Sequence, residues 1–320
     1  MRTWIKSALA VVATLATLTA HAAWPDRPVK LVVPYPAGGA ADALARVVAN
    51  ELTTRLKQQV IIENKGGAGG TIGAQYVAQG PADGYTFLYD ATSFTVNPSL
   101  FTKLAFSYEK DFVPVGLVAR IPTLLVVPAS SPVNSVADLV QRARAKPGTL
   151  TYASAGNGGA AHLSAELFAQ GNKLSLVHVP YKGGAPALTD LAGGQVDMMF
   201  SAITASGPLV RGGKLKAIAT AFDHRIESMP TVPTIAESGL PGFSAYEWNA
   251  IWVPAKTPVE IVKRMEDELR TVLSQPGVRQ RFGDLGALPA TGGAKELDAF
   301  VRSESAKWAT VIKTAHIKVD

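Results

Sequence analysis

Short apolar runs alternate with glycine-rich turns and amphipathic segments along the first third of the chain. The run at residues 29–33 predicts a strand covered on both faces, because it lacks the polar alternation of a half-exposed strand. After two glycines, leucine and valine recur at four-residue intervals, which predicts a helix with one buried face over residues 41–57. The pattern continues with strands at residues 60–63 and 85–89 and a helix at residues 71–79. Consecutive strand–helix units favour a parallel sheet with right-handed crossovers.

A second series of the same kind starts near residue 149. Its strands are predicted at residues 149–153, 174–179 and 196–200, and its helices at residues 160–170 and 186–191. Glycine pairs occupy equivalent places in the two series: Gly38-Gly39 corresponds to Gly158-Gly159, and Gly66-Gly67 corresponds to Gly183-Gly184. Side-chain identity between the series is slight, so the pattern predicts a repeated architecture rather than a duplicated sequence.

Two such units joined by two crossings predict a hinged α/β fold with two lobes, each a parallel-type sheet flanked by helices. Residues 113–127 are mostly apolar and lead into the second unit, and residues 214–221 form another strand candidate before the chain returns. Tail helices at residues 258–273 and 295–313 are expected to pack on the first lobe. The predicted bounds are residues 23–120 plus about 226–320 for the first lobe and about 121–225 for the second.

The first 22 residues have the pattern of an export signal. Arg2 and Lys6 flank the start of an apolar run at residues 8–18, and Ala20-His21-Ala22 supplies small residues around a cleavage position. The run is shorter than a membrane span, and no cysteine follows it, which excludes a lipid anchor. We expect cleavage near Ala22 and a periplasmic protein in a bacterium, with a retained membrane anchor as the alternative.

Composition excludes several kinds of function. The chain has no cysteine, so disulfides, thiolate nucleophiles and cysteine-ligated metals are excluded. The formal charge of +6 falls to +4 without Arg2 and Lys6, and no basic run or basic–aromatic pattern indicates nucleic acid as a partner. A modest positive excess suits an anionic small molecule.

No residue pattern identifies a catalytic, metal or cofactor site. Tyr152 stands where the first glycine of a nucleophile elbow should precede Ser154, and the histidines lack metal-ligand spacing. Residues 156–161 fit part of a dinucleotide-binding pattern, but the acidic residue expected about 20 positions later is missing. We therefore expect no catalytic residue, no metal and no cofactor. An exported hydrolase that uses Ser154 with His162 is the alternative.

The glycine-rich turns are the strongest candidates for a binding site. A strand, a Gly-Gly turn and a helix in succession present free backbone N–H groups at a helix N-terminus, where the helix dipole also favours an anion. The candidates are Ala37, Gly38, Gly39 and Ala40 in the first lobe, and Asn157, Gly158, Gly159 and Ala160 in the second. The alternative is that the glycines only permit tight turns and helix capping. Their equivalent places in the two lobes favour a shared ligand, and the chemistry favours a carboxylate.

Several side chains accompany these turns at the carboxyl ends of predicted strands. A hydroxyl, an amide or an aromatic ring makes five of them candidates to bond a polar group of the ligand or to wall the cleft: Tyr35, Ser93, Ser154, Asn157 and Tyr181. Core packing is the alternative for the two tyrosines. Asp42 lies in the first turn of a helix, and we expect it and His162 to support the loops rather than to touch a carboxylate.

Motifs along the whole mature chain resemble one family. They include Pro34-Tyr35-Pro36-Ala37-Gly38-Gly39 with Asp42, Ala82-Asp83-Gly84-Tyr85-Thr86, Tyr152-x-Ser154-x-Gly156-x-Gly158, and Gly239-Leu240-Pro241-Gly242. In this order they resemble the solute-binding proteins of tripartite tricarboxylate transporters, also called the Bug family. Two positions depart from the common pattern, since Tyr35 stands where phenylalanine is usual and Gly159 where serine is frequent.

The resemblance implies a periplasmic-binding-protein fold of the Venus flytrap, type II-like kind and a receptor without enzymatic activity. It implies carboxylate ligands, held by backbone groups and bridging waters at the first loop and by the Ser-x-Gly-x-Gly loop of the second lobe. The implied partners are a small-molecule carboxylate and the membrane components of the transporter, and we expect a monomer. An extracytoplasmic sensor that presents the bound acid to a signalling partner shares this fold and is the alternative.

Overall fold

The computed structural model describes residues 24–290 and 292–319, so the predicted export signal lies outside the described residues. The strands are β1 (Val29–Val33), β2 (Val60–Asn64), β3 (Thr86–Ala91), β4 (Phe112–Ile121), β5 (Thr123–Pro128), β6 (Thr151–Ser154), β7 (Val177–Pro180), β8 (Met198–Ala202), β9 (Leu215–Thr220), β10 (Glu247–Pro254) and β11 (Leu288–Pro289). The α-helices are α1 (Ala40–Leu56), α2 (Thr71–Ala78), α3 (Ser93–Leu100), α4 (Val136–Ala145), α5 (Ala160–Asn172), α6 (Gly184–Ala192), α7 (Ile203–Arg211), α8 (Val259–Ser274), α9 (Pro276–Asp284) and α10 (Ala294–Thr314). Within these ranges, no helix combines the length and the apolar character that crossing a membrane requires.

The first sheet has the strand order β11-β4-β10-β3-β1-β2. β1 pairs in parallel with β2 and β3, while β10 runs antiparallel to β3 and β4. Leu44, Val48 and Leu52 of α1 are buried in one cluster with apolar residues of β1. Each such side chain contributes roughly 1.5–3 kcal/mol when fully buried, so their four-residue spacing determines which face of α1 meets the sheet.

The second sheet repeats the arrangement, with the strand order β7-β6-β8-β5-β9. β6 pairs in parallel with β7 and β8, and β5 runs antiparallel to β8 and β9. In each sheet, three parallel strands joined through helices lie beside strands that pair in antiparallel. The α/β fold with two lobes and helix-flanked sheets is confirmed, although the sheets are mixed where the predicted units were parallel.

The chain passes between the lobes at Pro122, between the end of β4 and the start of β5. The chain returns to the first lobe later than predicted. The backbone N–H of Ile235 donates to the Thr220 oxygen at 2.9 Å, and that of Ala245 donates to the Ala221 oxygen at 2.8 Å. Residues 226–245 thus belong with the second sheet, and the predicted boundary at residue 225 is too early. The backbone of this segment is irregular, and these hydrogen bonds hold it beside β9. No local sequence pattern predicts such bonds.

The two tail helices behave differently from each other. α8 packs on α1 of the first lobe as predicted, through Met265, Leu269 and Val272. α10 spans both lobes, because Leu297 near its start lies in a first-lobe cluster while Trp308 near its end lies in the main second-lobe cluster. The sequence placed α10 on the first lobe, and the structure adds a contact with the second lobe.

Candidate functional site

The two predicted turns have the same backbone conformation. Gly38 and Gly158 adopt positive φ angles of 82° and 71°, which glycine reaches without steric cost. Gly39 and Gly159 follow with φ and ψ of −76° and 169° and of −73° and 165°, and each caps the helix that starts at the next residue. The first N–H groups of α1 and α5 have no partner within their helices and are available to an anion.

A side chain four residues later holds each turn. In the first lobe, the Gly38 N–H donates to Oδ2 of Asp42 at 2.9 Å. In the second lobe, the Gly158 N–H donates to Nδ1 of His162 at 3.1 Å. Asp42 and His162 are both buried, so the loop-supporting place is filled by a carboxylate in one lobe and by an imidazole in the other.

The Asp42 carboxylate is also bonded by two other side chains. Arg46 Nε donates to its Oδ2 at 2.9 Å, and Asn64 Nδ2 donates to its Oδ1 at 2.9 Å. Burial alone would raise the pKa of Asp42, but the bonds from Arg46, Gly38 and Asn64 outweigh burial and lower the pKa. Asp42 therefore keeps its charge at neutral pH and fixes the first turn from behind.

His162 is neutral at neutral pH. Burial and the nearby His178 lower the pKa of His162 to about 4, so Nδ1 is free of a proton and accepts from Gly158. The rings of His162 and His178 stack with centroids 3.8 Å apart, and Tyr152 also stacks on His178, with centroids 4.8 Å apart. This stack lies behind the second turn and holds it.

Ser154 is fully buried and does not line the cleft. Its hydroxyl lies 2.6 Å from Nε2 of His178 and donates to the Gly156 oxygen at 3.0 Å. The alternative that pairs Ser154 with His162 as a hydrolase is wrong about the partner, because the Ser154 hydroxyl lies against His178. Both bonds brace the loop, so Ser154 supports the second turn.

Three side chains of the first lobe form a hydrogen-bonded group beside the first turn. The hydroxyls of Tyr35 and Ser93 each donate to Oδ1 of Asp90 at 2.6 Å, and the two hydroxyl oxygens lie 2.5 Å apart. Burial raises the pKa of Asp90 to about 6 and raises that of Tyr35 further above its ordinary range. Asp90 was not predicted as a site residue, although an acidic residue at the end of a buried strand is a recognisable signal.

A cavity of about 690 Å³ lies between the lobes. The predicted residues that line it are Tyr35, Gly39, Ala40, Ser93, Asn157, Gly158, Gly159 and Ala160. Ala37 and Gly38 belong to the first turn but do not line the cavity. Tyr181 was expected to wall the cleft, yet its hydroxyl donates to Asp190 at 2.8 Å and it packs on an apolar cluster of the second lobe.

The cavity has further lining residues that the sequence analysis missed. They are Pro36, Ala41, Ala68, Gly69, Ala91, Thr92, Val96, Asn97, Leu100, Phe101, Ile121, Glu247, Asn249 and Val319. Glu247 and Asn249 lie two residues apart on β10, and burial raises the pKa of Glu247. Polar residues at alternate positions of an otherwise apolar strand are a recognisable signal, and the sequence of β10 contains it.

The charge of the lining limits how it binds an anion. The described lining contains no lysine and no arginine, so backbone N–H groups and helix dipoles must provide the attraction. Within the described ranges, no group of three histidine, aspartate or glutamate side chains is arranged to hold a metal ion. The arrangement is suited to binding a small anion by dipoles.

Comparisons with known proteins agree with this geometry. The family described as tripartite tricarboxylate transporter family receptor, TctC, matches residues 44–317. Rpa4515 of R. palustris, solved with adipate, is 38% identical with a TM-score of 0.80, covering 92% of this chain and 99% of the other. The periplasmic binding protein BugD is 35% identical with a TM-score of 0.77, covering 92% and 99%.

A third solved structure is MatC of Rhodopseudomonas palustris with bound malate. It is 35% identical with a TM-score of 0.76, covering 90% of this chain and 100% of the other. The matched family region includes the second turn and the whole of α10, and it begins after Ala41, the last cavity-lining residue of α1. The motif resemblance found in the sequence is thereby confirmed, and the chain belongs to the TctC family of tripartite tricarboxylate transporter receptors.

Proposed function

We propose that this chain is a periplasmic receptor that captures an organic mono- or dicarboxylate between its lobes and delivers it to the membrane components of a tripartite tricarboxylate transporter. The observation that carries the proposal is the pair of Gly-Gly turns, one from each lobe, that share one conformation and one cavity. The adipate and malate of two relatives support the ligand class. The family description supports the transporter partner.

Binding proceeds by closure of the lobes. The turn at residues 37–40 binds the carboxylate first, and the turn at residues 157–160 closes on it. Charge-assisted bonds to backbone N–H groups strengthen as water leaves the cavity, which favours the closed form. A receptor of this kind needs no catalytic group, and Asp42, Ser154 and His162 act by holding the turns.

Ligand capture is tested by thermal unfolding and small-angle scattering with a panel of mono- and dicarboxylates. A ligand at about 100 times its Kd should stabilise the protein by about 2.7 kcal/mol and should make it more compact. If no carboxylate raises the melting temperature, the proposal fails. Delivery is tested by uptake of the labelled ligand in cells that lack this gene, where uptake should be lost and the wild-type gene should restore it.

Proline substitutions at the first helical residue isolate the role of the turns. Ala40→Pro and Ala160→Pro each remove one N–H at a position where proline fits the helix, and the extended Gly39 and Gly159 accommodate a following proline. Each should weaken carboxylate binding about tenfold with little change in melting temperature. Val259→Pro at the start of α8, whose side chain is exposed, is the matched control and should leave binding unchanged.

A further inference from the structure

Two residues that line the cavity, Thr92 and Asn249, each have a buried polar side-chain atom without a hydrogen-bond partner among the described residues. Asn249 is 2% exposed, and its Oδ1 has no hydrogen-bond partner among the described residues. The buried Oγ1 of Thr92 likewise has none. Asn249 pairs with Ala91 in the register of β10 and β3, so it lies beside Thr92. A ligand donor at this end of the cavity is favoured, because a buried acceptor such as Asn249 Oδ1 is costly to leave without a donor.

Glu247 adds an acidic group to the same wall. It lines the cavity two residues before Asn249, on the same face of β10. In the described part of the chain its carboxyl group has neither a hydrogen bond nor an ion pair. Arg120 is not its counter-ion, because Arg120 is in register with Trp248, on the other face of the sheet, and its guanidinium faces Asp223 at 3.6 Å.

From this geometry we infer that the ligand carries an amino group as well as a carboxylate, and that Glu247, Asn249 and Thr92 receive that amino group. An ammonium has three N–H donors, and these three side chains offer a carboxylate, an amide oxygen and a hydroxyl. The carboxylate end of the ligand goes to the paired turns. This inference rests on the proposed function and narrows it to amino carboxylates.

The same wall disfavours a second carboxylate. An ionised ligand group beside Glu247 would place two like charges in a cavity whose described lining has no cation, and this repulsion is little screened in a buried site. The adipate and malate of the relatives belong to their own cavities. Glu247 is thus a specificity-determining residue of this chain.

The test compares acids of equal length by titration calorimetry at about pH 8, where the amino groups of the ligands are charged. The probes are butanoate, hexanoate and octanoate, the dicarboxylates of the same lengths, and the 2-amino and terminal-amino derivatives of each monocarboxylate. At one or more lengths, an amino derivative should bind at least about tenfold more tightly than its parent acid and than the dicarboxylate.

Glu247→Gln should reduce that preference to about threefold or less, because the amino derivative loses its charged partner. Glu227→Gln removes an equal charge from an exposed site away from the cavity and should keep the preference. The melting temperature of each variant checks folding. If parent acids or dicarboxylates bind best and Glu247→Gln changes no preference, the inference is overturned while the receptor function stands. If no probe of any class binds, the receptor function itself fails.

Discussion

Gly158→Ala tests whether the two lobes meet at the second turn when the receptor is closed. A Cβ on Gly158 would lie 2.6 Å from Cδ1 of Leu100, at the end of α3 in the first lobe, and 3.1 Å from Cγ1 of Val319. Gly38→Ala is the matched control, because Gly38 has a similar positive φ and a Cβ there would meet nothing within 4 Å. The two substitutions share backbone strain and differ in the contact between lobes.

The magnitudes separate the two effects. A left-handed φ costs a residue with a Cβ about 1–2 kcal/mol, so both variants should lose that much unfolding free energy. This strain is the same in the open and the closed form and leaves Kd unchanged. The Leu100 contact acts only when the lobes are together, and turning this flexible side chain away costs about 1 kcal/mol. Gly158→Ala should therefore raise Kd roughly fivefold, and Gly38→Ala should not.

Titration calorimetry with the carboxylate that binds best measures the difference, and urea unfolding without ligand measures the shared strain. Leu100→Ala combined with Gly158→Ala should recover most of the lost affinity. Because Leu100 lines the cavity, its truncation can also affect the ligand directly. The single Leu100→Ala variant measures that effect and completes a double-mutant cycle. Equal losses of affinity in Gly38→Ala and Gly158→Ala, or no coupling in the cycle, would refute the contact between lobes.

Three further substitutions test the groups that support the cleft. Asp42→Asn should lower the unfolding free energy in urea by about 1–3 kcal/mol, because the buried carboxylate loses charge-assisted bonds such as that from Gly38. Burial raises the pKa of Asp90 to about 6, so its contribution to stability is full below its ordinary value of 3.8 and is lost as pH rises through about 6. In Asp90→Asn, the melting temperature should no longer show the fall that this group causes as pH rises through about 6. Burial lowers the pKa of His162 to about 4, so its contribution is full above its ordinary 6.5 and is lost as pH falls through about 4. In His162→Ala, the melting temperature should fall less as pH drops through about 4. For either variant, a melting temperature that changes with pH as it does in the wild type would contradict the assignment.

The repeated strand–turn–helix units were predictable because their signals are local. The spacing of Leu44, Val48 and Leu52 defines one face of α1, and the predicted helix at 41–57 differs from the observed Ala40–Leu56 by one residue at each end. The Gly-Gly pairs also mark turns that require a positive φ, which is why both turns could be located before the structure.

The parts that were missed depend on contacts between distant segments. β10 lies between β3 and β4 in the sheet, and its pairing brings Glu247 and Asn249 into the cavity. Ser154 was assigned to the ligand because it follows a strand, but the neighbouring strand β7 places His178 against it. A chain pattern shows that a polar residue ends a strand, and only the packing of the next strand decides whether it faces ligand or protein.

The different supports of the two turns affect how an anion is shared between the lobes. Asp42 places a negative charge behind the first turn, and its partner Arg46 is largely exposed, where ion pairs are weak. His162 is neutral at pH values well above its pKa of about 4. It therefore places no negative charge behind the second turn that would weaken the attraction of the α5 dipole for an anion. At neutral pH the second turn should therefore add its full dipole attraction to a carboxylate that the first turn has bound. A ligand drawn to both turns holds the lobes together, and closure then follows from the anion's own charge.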